Sequence, residues 1–167
     1  STREGRASEE VGKWILSKAN IDNVDFEIVD IKEYDLPFFG TTEDQTNVIK
    51  WNEKLAELDG FIFVTPEYNH SITGALKNAL DSARDNWANK AAGIVSYGSA
   101  GGARAAEHLR GILSELSIAH VRTHILLSLF DDFENFSTFS PRPVHDENIK
   151  TLINQTITWA KALKTVR

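Results

Sequence analysis

Cysteine and methionine are both missing from this 167-residue chain, and proline occurs only four times. Without cysteine, disulfide bonds and thiol catalysis are excluded, and the composition agrees with a reducing compartment. No apolar run approaches the roughly 20 residues that span a bilayer, and no cationic, apolar leader is visible, so a cytoplasmic protein without a membrane span is expected. Acidic residues outnumber basic ones by 24 to 18 and the basic residues do not cluster, so nucleic acid is not an expected partner.

The residues that are present predict one globular domain over 1–167, because 41% of them are hydrophobic. Helical periodicity predicts helices that alternate with apolar or alternating strands. The predicted helices are 8–19, 45–58, 74–81, 103–116 and 145–164, and the predicted strands are 24–31, 61–64, 91–97 and 119–129. Strands that alternate with helices indicate an α/β protein with a doubly wound parallel sheet.

The chain opens directly on a loop sequence at residues 1–8, and position 1 is not methionine. A parallel α/β sheet normally places such a loop after a strand, so we expect a first strand before Ser1 that is missing from the sequence shown.

The most informative stretch is 61–81, in which a buried strand stops at Pro66 and a polar loop leads into an amphipathic helix. Polar residues just beyond the carboxyl end of a central strand lie where open α/β sheets bind ligands.

This stretch resembles the NADPH-dependent FMN reductase family, whose pattern is P-E-Y-N, small residues, a glycine and then L-K-N-x-x-D. The matching positions are Pro66, Glu67, Tyr68, Asn69, Gly74, Leu76, Lys77, Asn78 and Asp81, whereas Thr73 stands where the family usually has proline. The resemblance implies a flavodoxin-like five-stranded sheet in the order 2-1-3-4-5, which right-handed crossovers also favour. It further implies an FMN-dependent NAD(P)H oxidoreductase that reduces a quinone, free flavin, azo compound or metal ion and assembles as a homodimer or homotetramer.

The first loop, 1–8, precedes a helix and carries hydroxyls and arginines, a composition typical of a phosphate site at a helix N-terminus. It resembles the G-S-x-R loop of the same family through Ser1, Thr2, Arg3 and Ser8. The alternative is a frayed terminus with Ser8 as a helix cap.

A third loop, 97–102, follows the strand at 91–97 and is rich in glycine, which allows a flat ligand to approach the backbone. The expected cofactor-binding residues are Ser1, Thr2, Arg3, Arg6, Ala7, Ser8, Pro66, Glu67, Tyr68, Asn69, His70, Tyr97, Gly98, Ser99, Gly101 and Gly102. We nominate no catalytic side chain and no metal ligand, because a flavin would perform the chemistry. For Glu67 we favour a subunit contact or a helix cap, and for His70 a loop or interface role over donation to nicotinamide or acceptor.

Several segments allow two interpretations. The aromatic loop at 34–40 either packs on the core or forms a dimer contact or a wall over the flavin. The apolar segment at 130–144 is expected to cover either a partner subunit or the flavin. Trp87 is expected in the core rather than beside a partner's flavin, and Gly60 is expected to cap the helix at 45–58. His108 and Arg110 are expected at solvent or a subunit contact, and the basic residues at 120, 122 and 124 on a polar strand face. Two rival functions remain open, an electron-carrier flavodoxin and a flavin-binding redox sensor.

Overall fold

The computed structural model describes residues 1–167, apart from the side chain of Arg84. Its α-helices are α1 (Ser8–Lys18), α2 (Thr46–Glu57), α3 (Gly74–Asp81), α4 (Ala103–Glu115) and α5 (Val144–Leu163). Its strands are β1 (Gly60–Pro66), β2 (Ala91–Gly98), β3 (Ala119–Ser128), β4 (Phe133–Glu134) and β5 (Thr138–Phe139). Short 3₁₀ turns occupy Ile31–Tyr34, Arg84–Asn86 and Lys164–Val166.

The central sheet is parallel, with β1, β2 and β3 adjacent in that order, while β4 and β5 form a separate antiparallel hairpin. Every residue of β2 is buried, because it lies in the middle of this sheet with helices on both faces. The α/β class is therefore confirmed, and the three predicted strands at 61–64, 91–97 and 119–129 are neighbours.

Two hydrophobic clusters hold the helices against the sheet. On one face α2, α3 and α4 pack around Trp51, Leu80 and Leu109, and Trp87 belongs to this cluster with 1% of its surface exposed. On the other face α1 and α5 pack around Val11 and other buried residues. The expectation that Trp87 is a core residue is confirmed, and its indole N–H donates to the carbonyl of Leu80 at 2.9 Å.

The strand predicted at 24–31 is not formed among the described residues. Residues 24–30 have no regular secondary structure and, across the described residues, pair with no strand, and a 3₁₀ turn begins at Ile31. A groove of about 690 Å³ is lined by this segment and by β1. The alternating sequence is that of a half-buried strand, but a strand also needs a hydrogen-bonded neighbour.

Gly60 also departs from expectation, since it is the first residue of β1 and α2 is instead capped at Leu58. A side chain on Gly60 would lie 3.3 Å from the Cβ of Ala160, so close packing against α5 accounts for this glycine better than a helix cap does.

Candidate functional site

Three of the predicted loops meet at the carboxyl edge of the sheet. The Arg3 guanidinium donates through Nε to the hydroxyl of Tyr68 at 3.1 Å, which joins the loop before α1 to the loop after β1. Burial raises the pKa of the Tyr97 hydroxyl, at the end of β2, to about 12, against the smaller opposing effect of Ser8. The N–H of Glu67 donates to the carbonyl of Tyr97 at 2.9 Å. These contacts connect all three loops.

The loop before α1 has the features of an anion site. Ser8 is the first residue of α1 and Ala7 occupies the N-cap position, so Ser8 is not the cap of this helix. Among the described side chains none caps this helix end, which leaves its N–H groups and positive dipole available to an anion. Thr2 and Arg3 are exposed beside it. The structure thus keeps the phosphate-site prediction open.

The two arginines of this loop differ in their surroundings. The Arg6 guanidinium is 10% exposed and paired with Asp30, with Glu9 at 4.0 Å. Ser1 is buried at the same end of the loop, and its Oγ accepts from the N–H of Arg3 at 3.4 Å. Arg6 therefore ties the loop to the segment before the 3₁₀ turn, and Arg3 is the cation that faces solvent.

The loop after β1 contains a tight turn. Tyr68 and Ser71 exchange two backbone hydrogen bonds at 3.0 and 3.1 Å, and the two residues between them, Asn69 and His70, have φ values of 49° and 67°. Positive φ at both central positions is the mark of a type I′ turn, which asparagine tolerates well. Asn69 and His70 are exposed on this turn, whereas Pro66 is buried at the end of β1. The turn therefore presents its polar side chains away from the core.

The glycine-rich loop after β2 owes its composition to internal packing. A Cβ on Gly101 would lie 2.8 Å from the Cβ of Leu126, and one on Gly102 would lie 2.7 Å from the Cβ of Ser96. Both glycines also have positive φ, of 66° and 75°. Their missing side chains would face the sheet, and Ser99 is the exposed polar residue of the loop. Ligand approach to its backbone stays a prediction.

Glu67 lies between the two loops. Its carboxylate accepts hydrogen bonds from the backbone N–H groups of Arg104 and Ala105, at 3.0 and 3.2 Å, and pairs with the Arg104 guanidinium. The helix-cap interpretation of Glu67 is confirmed. Burial would raise the pKa of Glu67, but the hydrogen bonds from Arg104 and Ala105 outweigh it and lower that pKa. Arg104 was missed, although a cation in the first turn of a helix indicates that a carboxylate is near.

A second buried carboxylate was also missed. Asp132, fully buried after β3, accepts from the N–H of Ser128 at 2.8 Å, from both backbone and side chain of Arg142, and from His145. These contacts fasten the 130–144 segment to the start of α5. No local sequence pattern marks Asp132, because its partners lie 10 and 13 residues away.

The polar face of β3 is organised by α4. The Arg110 guanidinium donates to Nδ1 of His120 at 2.7 Å and to Nδ1 of His124 at 3.1 Å. Arg110 was expected at solvent or a subunit contact, and its side chain instead contacts β3 of the same chain.

Within the described residues, no group of three or more histidine, cysteine, aspartate or glutamate side chains is arranged to hold a metal ion. No helix of the described part is long and apolar enough to cross a membrane.

The parallel sheet with loops gathered at its carboxyl edge is the arrangement in which open α/β proteins bind ligands. The family model of NADPH-dependent FMN reductases matches residues 1–132. An NAD(P)H-dependent FMN reductase of Schizosaccharomyces pombe is 33% identical over 141 residues, covering 77% of this chain and 70% of that protein. The chain belongs to the NADPH-dependent FMN reductase family, whose members are oxidoreductases that use FMN and NAD(P)H.

Other relatives agree with this assignment. A 2-hydroxy-1,4-benzoquinone reductase of a Burkholderia species is 35% identical over 126 residues, covering 71% of this chain and 68% of that protein. An NAD(P)H:quinone oxidoreductase of Solanum tuberosum is 42% identical over 106 residues, covering 58% of this chain and 54% of that protein. The solved structure of FerB, a flavoenzyme NAD(P)H:(acceptor) oxidoreductase from Paracoccus denitrificans, has the same fold, with a TM-score of 0.79 at 19% identity over 97% of this chain and 93% of that chain.

Proposed function

We propose that this chain binds FMN at the carboxyl edge of its sheet and uses NAD(P)H to reduce a small acceptor, with quinones as the acceptor class. The observation that carries the proposal is the 3.1 Å contact between Arg3 and Tyr68. It brings a cationic loop at a helix N-terminus next to an aromatic, polar turn. A ligand with a phosphate at one end and a flat ring at the other needs those two environments side by side.

The residues present fit FMN. Thr2, Arg3 and Ser8 would hold the phosphate, because they surround a helix end that lacks a side-chain cap among the described residues. Tyr68 is 42% exposed and Asn69 stands on a rigid turn, so these two would contact the ring. When bound, FMN supplies the redox chemistry, accepting hydride from NAD(P)H and passing electrons to the acceptor. The protein side chains bind and orient, and no acid or base is assigned to them.

Quinones are favoured as acceptors by the relatives named above, two of which are named as quinone reductases. A planar quinone could stack where the nicotinamide leaves, since every donor and acceptor of this reaction is a flat ring. Free flavin, azo compounds and metal ions remain further acceptors to assay.

The test is the visible spectrum of the purified protein with FMN, recorded under anaerobic conditions before and after NADPH or NADH. We expect the flavin to bleach with one of the two nucleotides and to recover its colour when a quinone is added. Bound flavin that both nucleotides leave oxidised would favour the electron carrier or the redox sensor. Absence of flavin binding would overturn the proposal.

The site assignment is tested by two variants and a charge-matched control. Arg3→Ala and Asn69→Ala should each weaken FMN binding by at least about tenfold, as expected for the loss of one charged or well-placed hydrogen bond. Lys13→Ala removes one positive charge from the exposed face of α1 and should leave FMN affinity unchanged. Wild-type affinity in both site variants would refute the assignment.

We also propose a homodimer in the cytoplasm. Two pairs of aromatic side chains are exposed, Phe38 and Phe39 at 73% and 70%, and Phe130 and Phe136 at 66% and 63%. The second pair forms an edge-to-face contact with ring centroids 5.5 Å apart. Exposed aromatic clusters of this kind favour association with another protein surface.

Finally, we propose that a further parallel strand, leading into Ser1, lies between β1 and residues 24–30 and supplies the neighbour that 24–30 lack among the described residues, so that both segments join β1, β2 and β3 in a five-stranded sheet of order 2-1-3-4-5. The groove beside β1 supports it, because Ser1 and both β1 and residues 24–30 line that groove. Residues 60–62 and 64 are only half-buried, unlike the wholly buried β2. Amide hydrogen exchange on the full-length protein tests this. Slow exchange of alternate amides along both β1 and 24–30 is expected, and fast exchange along the outer edge of β1 would contradict it.

A further inference from the structure

We propose that Glu67 is a positioning residue whose carboxylate takes the place of a bound anion at the N-terminus of α4. In that place it would fix the distance between the turn at 68–71 and the glycine-rich loop at 98–102. It would also leave the N-terminus of α1 as the phosphate site. The consequence for flavin rests on the proposed function, whereas the cap itself does not.

The geometry is that of an anion bound at a helix end. One carboxylate oxygen accepts from two successive N–H groups, those of Arg104 and Ala105 at 3.0 and 3.2 Å, and the other accepts from Nε of Arg104 at 2.5 Å. Two N–H groups and a guanidinium are the donors that a phosphate or sulfate would use at such a helix end. The side chain of Glu67 is only 5% exposed, so it closes this helix end to external anions.

The same residue is fixed to β2 through its backbone. Its N–H donates to the carbonyl of Tyr97 at 2.9 Å, and its Cβ lies 3.2 Å from where a Cβ on Gly98 would stand. Glu67 therefore contacts the last two residues of β2 and the first turn of α4 at once. The turn at 68–71 follows it directly in the chain. A change in the Glu67 side chain would move that turn relative to the glycine-rich loop.

The sequence contains two helix ends that are preceded by loops with glycine and serine, before α1 and before α4. The structure distinguishes them by their side chains. A carboxylate occupies the end of α4, whereas Thr2, Arg3 and Ser8 surround the end of α1. The Glu67 carboxylate already occupies the donors at the end of α4 and would repel a phosphate there. At the end of α1, where Glu9 and Glu10 stand in the first turn, no described side chain accepts from the helix N–H groups and the Arg3 side chain faces solvent beside them.

The experiment compares FMN with riboflavin, which has the same ring and no phosphate. Arg3→Ala is expected to weaken FMN binding much more than riboflavin binding, because it removes a charge beside the phosphate and, for the ring, only the contact to Tyr68. Glu67→Ala is expected to weaken both flavins by about the same factor, at least about fivefold, because the loops that contact the ring lose their spacing. Glu107→Ala removes an exposed carboxylate from the same helix and is the control, with a change below about threefold. Affinity is measured by flavin fluorescence.

Rescue by formate is the measurement that distinguishes replacement of an anion from a purely structural role of Glu67. It should enter the space left in Glu67→Ala, restore part of the affinity for both flavins, and raise the melting temperature of the flavin-free variant. It should do neither in the wild type or in Glu67→Gln, whose side chain fills the space.

Three results would overturn the proposal. They are wild-type affinity of Glu67→Ala for both flavins, a loss confined to FMN, and a loss that formate does not repair. Should Glu67→Ala fail to fold, Glu67→Gln is measured instead: it keeps the volume and one accepting oxygen but places an amide NH2 group against the Arg104 guanidinium, so it should weaken both flavins. Wild-type affinity in that variant would overturn the proposal too. If the wild type binds neither flavin, the proposed function fails, while formate-dependent melting of Glu67→Ala still decides whether the carboxylate replaces an anion.

Discussion

The side-chain amide of Asn78 donates to the backbone carbonyl of Pro37 at 2.9 Å, although the two residues are 41 positions apart. The oxygen of the same amide accepts from the N–H of Phe39 at 2.8 Å. Helix α3 thus holds the aromatic loop before α2 by its backbone. Two neighbours of Asn78 in the family pattern have equally structural contacts, since Lys77 and Asp81 form an ion pair one helical turn apart at 2.7 Å.

Replacing Asn78 tests this relationship. Asn78→Ala leaves a backbone carbonyl and an N–H of the loop without their partner, and should lower the free energy of unfolding by about 1–3 kcal/mol. The loop should also become sensitive to limited proteolysis near Phe38 and Phe39. Lys77→Ala is the control, because an exposed ion pair contributes less than about 1 kcal/mol. Equal stability of the two variants would contradict the role given to Asn78.

The exposed Phe38 and Phe39 rings of this loop predict that it forms part of a dimer interface. Phe38→Asp places a charge where a partner surface would exclude water, and should shift a dimer to a monomer on a sizing column at micromolar concentration. Val166→Asp is the control, since Val166 is 64% exposed next to residues that bind Asp59 at the amino end of β1. Unchanged elution of Phe38→Asp would remove the reason for placing this loop at an interface.

The periodicity of apolar residues was sufficient to predict all five α-helices and the three central strands. Burial of one or both faces of an element requires apolar residues at regularly spaced nearby positions, and that spacing is visible in the sequence. The strand predicted at 24–31 shows what periodicity alone does not predict. Its alternation describes a half-buried extended segment, but strand pairing depends on a neighbour that its own residues do not specify.

The candidate site also has features that the sequence predicts and features that it does not. The turn at 68–71 and the glycine-rich loop follow strand ends, and topology places strand ends together. The partners of Glu67 and Asp132 could not be read from spacing, because each ion pair joins different elements. Thr73 illustrates a departure from the family pattern that the structure explains: its Oγ1 accepts from the N–H of Leu76 at 3.1 Å and caps α3 in place of proline.

The histidines packed on Arg110 should titrate at low pH. Burial, and then the neighbouring guanidinium, lower the pKa of His120 and of His124 below the ordinary value of 6.5. Because arginine only donates, Nδ1 of each ring is the acceptor and the proton lies on Nε2. A lowered histidine pKa means that the unfolded chain takes up protons first, so stability should fall as the pH drops below 6.5.

Arg110→Gln should raise both histidine pKa values towards 6.5, and imidazole NMR titration measures this directly. In the wild type the same spectra should show the Nε2–H tautomer for both rings. Identical titration curves in wild type and variant would mean that burial alone sets these pKa values.

Asp132 should be the position of the segment after β3 at which a substitution costs most stability, because it is fully buried. Asp132→Asn removes the charge that Arg142 and His145 share, and should cost about 3 kcal/mol in the free energy of unfolding at neutral pH. Burial opposes ionisation, but the hydrogen bonds from Arg142 and Ser128 lower the pKa of Asp132 below its ordinary 3.8. The stability of the wild type over Asp132→Asn should therefore persist at neutral pH and shrink as the pH falls below 3.8. Urea unfolding across this range tests both points, and a difference that grows on acidification would contradict them.

The surroundings of Lys90 predict that the stability of the fold depends on pH in the alkaline range. It is 5% exposed, donates to the carbonyl of Leu55 at 2.5 Å, and has its ammonium 5.6 Å from the ring centre of Phe61. Burial, helped by the charge of Arg167, lowers the pKa of Lys90 from 10.5 to about 8, against the opposite effect of Asp59. Below pH 8 the fold must keep a charged ammonium out of water. Between pH 8 and 10.5 the folded chain loses this proton before the unfolded chain does, so the folded state gains stability as the pH rises.

The comparison with Lys90→Met isolates this effect, because all other titrating groups are shared. The free energy of unfolding of the wild type, minus that of the variant, should increase from pH 7.5 to pH 10. Lys90→Arg, which stays charged over this range, should show no such increase relative to Lys90→Met. A wild-type difference that is flat with pH would show that the ammonium stays charged in the fold, held by the carbonyl at the C-terminal end of α2 and by the Phe61 ring.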